Sequence, residues 1–185
     1  QFNWISLGSN CSITYQLNQY GLRINSYPFD WAKISLNQLI NVLTNNFDSY
    51  TNLFIEKLSN IHLTLNNEES LLVKNFYSIK FAHEITQQIE LKQFRDKLIK
   101  RIKNFNNLIG KKVKFIRIEL NKINTNYFKQ IDCLIELLDK FSNNYELILI
   151  LNCNCEINYS NVKVKIYTYK EFSPDWKMDL LDWKQ

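Results

Sequence analysis

One cysteine stands where the chain changes from an apolar, alternating stretch to a helical one. In Trp4-Ile5-Ser6-Leu7-Gly8-Ser9-Asn10-Cys11-Ser12 the apolar run stops at a glycine, passes through small polar residues, and continues as a helical pattern to Gly21. The join between a strand's carboxyl end and a helix's amino end is where α/β folds place ligands and nucleophiles. Free backbone N–H groups and the helix dipole there are expected to draw the Cys11 thiol toward thiolate and make it the most reactive of the four thiols. Thiol hydrolysis also needs a base within hydrogen-bond reach and donors for the developing oxyanion. Of the two histidines, His62 alternates with Ile61 and Leu63 and reads as solvent-facing, and His83 is either the candidate base or a satisfied structural group at a strand end.

Around this pair stand the candidates for supporting roles. Ser9, Asn10 and Ser12 either donate to an oxyanion or substrate or cap the following helix. Asp30, in Ser26-Tyr27-Pro28-Phe29-Asp30-Trp31, either orients the imidazole as the acid of a triad or makes a turn with Pro28 that Phe29 and Trp31 anchor in the core. Arg23 and Arg117 either clamp an anionic substrate group or pair with carboxylates, and Glu119 and Asn121 are outside candidates for a third catalytic member. Cys153-Asn154-Cys155 does not have zinc spacing and reads as a pair of reduced thiols beside a loop, while Cys133 falls in an apolar helix pattern and reads as buried. No metal and no cofactor is expected.

The elements that must position these residues are legible in outline. Residues 2–7, 112–118, 146–151 and 163–168 read as strands of one mostly parallel sheet, the third of them apolar without alternation, as a strand covered on both faces is. Helices are expected from Ser12, over 36–47 with Ser35 as N-cap, over 50–58, from Glu84 to about Leu108, and over 124–141. Residues 60–82 change to a period of two around Asn66-Asn67-Glu68-Glu69 and read as a hairpin or short strands, and 152–161 as a loop. Strand alternating with helix implies right-handed crossovers, so the expected fold is α/β, a three-layer sandwich with a mostly parallel central sheet, SGNH/flavodoxin-like. The carboxyl ends of its strands would bring together Gly8 to Ser12, the residues after Arg117, and Asn152 to Cys155. His83 would join that edge if its strand ran parallel to the first.

Composition narrows the class. The 185 residues are 45% hydrophobic and 14% aromatic, enough for one sizeable core, and 1–185 reads as a single α/β domain, excised from a longer chain because it opens on Gln1. No apolar run approaches the roughly 20 residues of a membrane span. Asn, Ile and Lys are abundant and Gly, Pro and Ala scarce, a bias typical of an AT-rich genome such as a low-GC bacterium, a protist or a large DNA virus. The net charge of +5 is spread along the chain, which favours a solvated surface over a nucleic-acid face. Four cysteines in a chain of this size do not make a secreted disulfide framework, so a reduced intracellular compartment is expected.

Two separated blocks, Ser6-Leu7-Gly8-Ser9-Asn10-Cys11 and Tyr27-Pro28-Phe29-Asp30-Trp31, with Gln16-Leu17 and Gly21-Leu22-Arg23 between them, resemble a family of uncharacterised proteins described as papain-like cysteine peptidases. The likeness extends more loosely through Phe81-Ala82-His83-Glu84-Ile85 and the basic helix to Phe115-Ile116-Arg117. It implies a cysteine nucleophile at Cys11 followed in the chain by a histidine base at His83. More distantly, the opening is similar to the first block of the SGNH/GDSL hydrolases, in which a nucleophile begins the helix. The chain departs from that pattern by ending in Pro174-Asp175-Trp176-Lys177-Met178-Asp179 and beyond with aspartates but no histidine. The expectations are therefore a thiol hydrolase or acyltransferase acting on a small acyl, glycan-linked or peptide substrate, a non-catalytic glycan- or partner-binding module, or an SGNH-like esterase using Ser9.

Overall fold

The computed structural model describes residues 1–56, 62–63, 69–86, 90–153 and 156–169, together with Lys177. The elements run β1 (Asn3–Ser6), α1 (Ser12–Gln19), β2 (Ala32–Lys33), α2 (Leu36–Thr44), β3 (Leu53–Ile55), β4 (His62–Leu63), β5 (Glu69–Asn75), β6 (Lys80–Thr86), α3 (Leu91–Asn106), β7 (Val113–Glu119), α4 (Tyr127–Leu138), β8 (Tyr145–Asn152) and β9 (Val164–Tyr169). They form a mixed α/β fold with two sheets. The first has the order β1-β7-β8-β9, every neighbour parallel, as the apolar runs predict. The second is antiparallel, in the order β2-β6-β5-β3, with β4 also pairing β5.

The parallel sheet is apolar on both faces. Ile5, Val113, Phe115, Leu147, Leu149 and Leu151 face the main core, shared with α2, α3, α4 and with Val73, Phe81 and Ile85 of the second sheet. Ile116, Ile118 and Ile148 face the other way, onto Ile13 and Leu17 of α1 and Tyr169 of β9. Two-sided burial explains the absence of alternation in β8. The centre of the main core is an aromatic stack in which the Phe29 ring meets Phe47, Tyr50 and Phe105 at 5.8, 6.0 and 5.7 Å between centroids. Ser35 caps α2 in a capping box with Gln38, as its position predicts.

Five expectations are corrected. Residues 50–56, the described part of the helix expected over 50–58, do not form one: turns and the short β3 replace it, because Leu53–Ile55 finds an open edge on β5. The helix expected from Glu84 starts at Leu91, since β6 extends to Thr86 along β5. The His83 strand runs in the antiparallel sheet beside β2, so that strand does not join the parallel edge. Cys133 is exposed, on the polar side of α4, and Cys153 is disulfide-bonded rather than reduced. The side chain of His62, the turn at 64–68, Asn154 and Cys155, and the carboxyl-terminal aspartates lie outside the described residues.

Candidate active site

The turn that presents Cys11 is built by two consecutive left-handed residues, Gly8 (φ +77°) and Ser9 (φ +83°). Glycine is required at the first of them, because a Cβ there would lie 2.0 Å from Cγ2 of Ile34. Leu7 N–H donates to the Ile116 carbonyl at 2.8 Å, so the turn begins while the chain is still tied to β7. Cys11 is the N-cap residue of α1, and the Tyr15 N–H donates to its carbonyl at 3.0 Å. No side chain caps α1 in the usual way, but Asn10, just before the cap, accepts with its Oδ1 from the Ser12 N–H at 3.1 Å and from the Ser12 hydroxyl. Asn10 and Ser12 are thereby spent on the helix start. The Cys11 N–H, among the described residues, has no acceptor, and it is one of the donors a helix start leaves over.

Electrostatics reverse the expectation for the thiol. Burial pushes the Cys11 thiol up to about 12, with the Glu84 carboxylate adding to the rise and Lys33 opposing it. The Sγ–H donates to the Trp31 carbonyl at 3.5 Å, a contact made by the protonated form. Loss of water is the largest cause of the rise, and Cys133 is the more exposed of the two free thiols. Lys33 comes from β2 and Glu84 from β6. Neither was singled out by spacing or motif, because both reach Cys11 only through the pairing of those two strands.

The loop carrying Asp30 is held by its own ion pair. Arg23 donates from Nε and Nη2 to Asp30 Oδ2 at 3.0 and 2.8 Å and from Nη2 to the Ser26 hydroxyl at 2.8 Å, while the Tyr27 N–H donates to the same carboxylate oxygen at 2.9 Å. Asp30 is 1% exposed, and its burial pushes the carboxyl up against the pull of Arg23. These contacts belong to the turn alternative of the sequence reading. Tyr50 donates its hydroxyl to the Pro28 carbonyl at 2.8 Å and fixes the loop to the core. Trp31, next along, adopts φ +59°, which costs about 1–3 kcal/mol for a bulky residue. Its N–H lies 3.4 Å from the Thr14 hydroxyl of α1 and its carbonyl takes the thiol.

Glu84 has a partner of its own, Arg101 of α3, at 2.6 Å, with side chains 8% and 9% exposed. His83 precedes it on β6 and is half-buried. Arg117 is 1% exposed and is committed elsewhere: Nε donates to Glu119 at 2.5 Å, Nη1 to the Leu7 carbonyl at 3.2 Å and Nη2 to the Ile34 carbonyl at 3.3 Å. It ties the turn after β1 to the chain leaving β2. Two clefts flank this assembly. One, about 300 Å³, lies at the carboxyl edge of the parallel sheet and is lined by Ser9, Lys33, Lys80, Arg117, Glu119 and Asn121 among others. The other, about 510 Å³, opens between the Arg23–Trp31 loop and α3.

Among the described residues no group of three or more His, Cys, Asp or Glu side chains is placed to hold a metal ion, and no helix is long and apolar enough to cross a membrane. No solved structure matches the chain. An uncharacterized protein, R408, of Acanthamoeba polyphaga mimivirus is 31% identical over 218 residues, covering 98% of this chain and 95% of that protein. The family model described as "Putative papain-like cysteine peptidase (DUF1796)" matches residues 2–154. The match spans both motif blocks, the turn that carries Cys11 and the strand that carries His83 and Glu84, and the chain belongs to that family.

Proposed function

We propose that the protein is a cysteine hydrolase or acyltransferase in which Cys11 attacks an ester, thioester or amide carbonyl. The observation that carries this reading is the position of Cys11: an N-cap thiol on a turn forced by two left-handed residues, with its own N–H unspent beside it. Attack forms a bond from Sγ to the acyl carbon, the carbonyl oxygen develops charge toward the Cys11 N–H, and the thiol proton passes to His83. Collapse expels the alcohol, thiol or amine, which takes that proton, and the acyl group then moves to water or to an acceptor. Because the resting thiol holds its proton, the base acts during attack rather than before it, and the rate is expected to rise with pH. A small acyl, glycan-linked or peptide substrate fits this chemistry, and the SGNH/flavodoxin-like layering belongs with the same reading.

Two observations favour other readings. Ser9, unlike Cys11, lines the sheet-edge cleft, as a serine nucleophile would. The high thiol pKa suits a cysteine that does no chemistry in a binding module. Hydrolysis of activated ester and thioester probes separates the three. For the thiol enzyme, Cys11→Ala abolishes turnover, Ser9→Ala loses about ten- to a thousandfold at most, and His83→Ala slows the reaction near neutral pH with partial recovery in alkali. Ser9 essential with Cys11 dispensable would move the protein to the esterase reading. No turnover by any form would leave a binding cleft.

A further inference from the structure

The larger cleft has a lining of one sign. Arg23, Asn25 and Trp31 from the loop and Lys97, Lys100, Arg101 and Asn104 from α3 line it, and no carboxylate does. The acids that balance its arginines, Asp30 and Glu84, are buried behind them. Lys97 and Lys100 are exposed and, among the described residues, make no ion pair, so the cleft keeps a surplus of two positive charges. Positions 97, 100, 101 and 104 are three and four apart and form one stripe of the helix. Like charges at that spacing repel and weaken the helix, a cost that Arg101 recovers through Glu84 and that Lys97 and Lys100 do not recover through any ion pair among the described residues. The walls are fixed: Asn104 Nδ2 donates to the Ser26 carbonyl at 3.0 Å, and the arginines are locked by their ion pairs.

We propose that this cleft binds a phosphorylated small molecule, its phosphate groups received by Lys97, Lys100 and the two arginines and its organic part lying against Trp31. A net surplus of two charges matches a phosphate dianion or a pyrophosphate better than a single carboxylate, and the volume suits a small ligand rather than an extended chain. The site stands whether or not Cys11 is a nucleophile. It also lies one residue contact from the thiol, because Trp31 lines the cleft and takes the Cys11 Sγ–H with its carbonyl.

Calorimetric titration with inorganic pyrophosphate, at low ionic strength, tests it on the whole chain and on Cys11→Ala. Both are expected to bind, which keeps this result separate from the loss of turnover expected for Cys11→Ala. Lys97→Glu with Lys100→Glu should weaken binding about tenfold or more, and the double alanine variant should weaken it less. Both pairs are on exposed positions, and unchanged thermal unfolding checks that they fold. Lys111→Glu with Lys112→Glu, equally exposed but outside the cleft, should leave affinity within about twofold. The proposal is overturned if the parent does not bind pyrophosphate, if the two charge-reversal pairs act alike, or if citrate binds as tightly. It is equally overturned if a short single-stranded oligonucleotide binds far more tightly and is weakened by both pairs, which would make the surface a polyanion face.

Discussion

The two sheets differ in what they do for the site. The parallel sheet keeps an unbroken register of paired residues from β1 through β7 to β9, buries Ile and Leu on both faces, and delivers Cys11 from the end of its edge strand. The antiparallel sheet has a register shift between Leu71 and Val73, leaves Phe54, Ile55 and Leu71 exposed, and brings the charges of Lys33 and Glu84 to bear on the thiol. One sheet supplies the framework and the nucleophile candidate; the other sets its electrostatics. A cysteine at such a seam is chemically defined by neither element alone, and its proton affinity is a property of how the two sheets meet.

Arg117 is the sharpest place to break that meeting. Its guanidinium bridges the Leu7 carbonyl, the Ile34 carbonyl and Glu119, and Arg117→Met would leave a carboxylate and two buried carbonyls without their donors. A loss of about 3–5 kcal/mol is expected in urea unfolding. A loss under about 1 kcal/mol would show that the sheets are joined by packing alone.

Gly8→Ala strikes the same seam from the other side. It places a Cβ against Ile34 Cγ2 and forces a side-chain-bearing residue to φ +77°. About 2–4 kcal/mol of destabilisation is expected from overpacking and strain together, measured by the same unfolding midpoint. A serine-like tolerance, with stability unchanged, would mean that the turn can open.

A chemical measurement sharpens the comparison at the thiol itself. The pH dependence of Cys11 alkylation, followed by peptide mapping, should move to lower pH in Glu84→Gln and to higher pH in Lys33→Ala, because the first removes a charge that raises the thiol pKa and the second one that lowers it. In the parent, Cys133 should alkylate first at neutral pH, since a thiol at about 12 is thiolate in only about one molecule in 10⁵. Unchanged profiles in both variants would detach the antiparallel sheet from the site.

The smallest effect is expected far from the seam, on the parallel sheet's outer edge. Lys163 pairs with Asp139 at 2.6 Å on the surface, and Lys163→Ala should cost under about 1 kcal/mol. Burial pushes the Asp139 carboxyl up, but hydrogen bonds from Lys163 and Tyr145 outweigh it and hold the group low. The contribution is therefore present above the ordinary carboxylate range and lost as pH falls through the lowered value. A cost comparable to that of Arg117→Met would contradict the contrast between seam and surface.

Local pattern by itself determined the parallel strands, the Ser35 cap, the helix after Cys11 and the family likeness carried by Gly8, Cys11 and the Tyr27–Trp31 block, because apolar periodicity, capping chemistry and positive-φ glycine act over a few residues. Tertiary structure decided the rest. Residues 53–55 became a strand only because β5 offered an edge, Asp30 was claimed by Arg23 within its own loop, and Arg117 was claimed by carbonyls of two other segments. Glu84 and Lys33 came to act on Cys11 through strand pairing, and the helix–loop cleft formed only when the loop carrying Arg23 met the stripe of Lys97, Lys100 and Arg101 on α3. The physical reason is that desolvation and charge–charge interaction depend on distance in space and on the water excluded. A sequence motif can place a thiol at a helix start, but only the folded surroundings fix whether it keeps its proton.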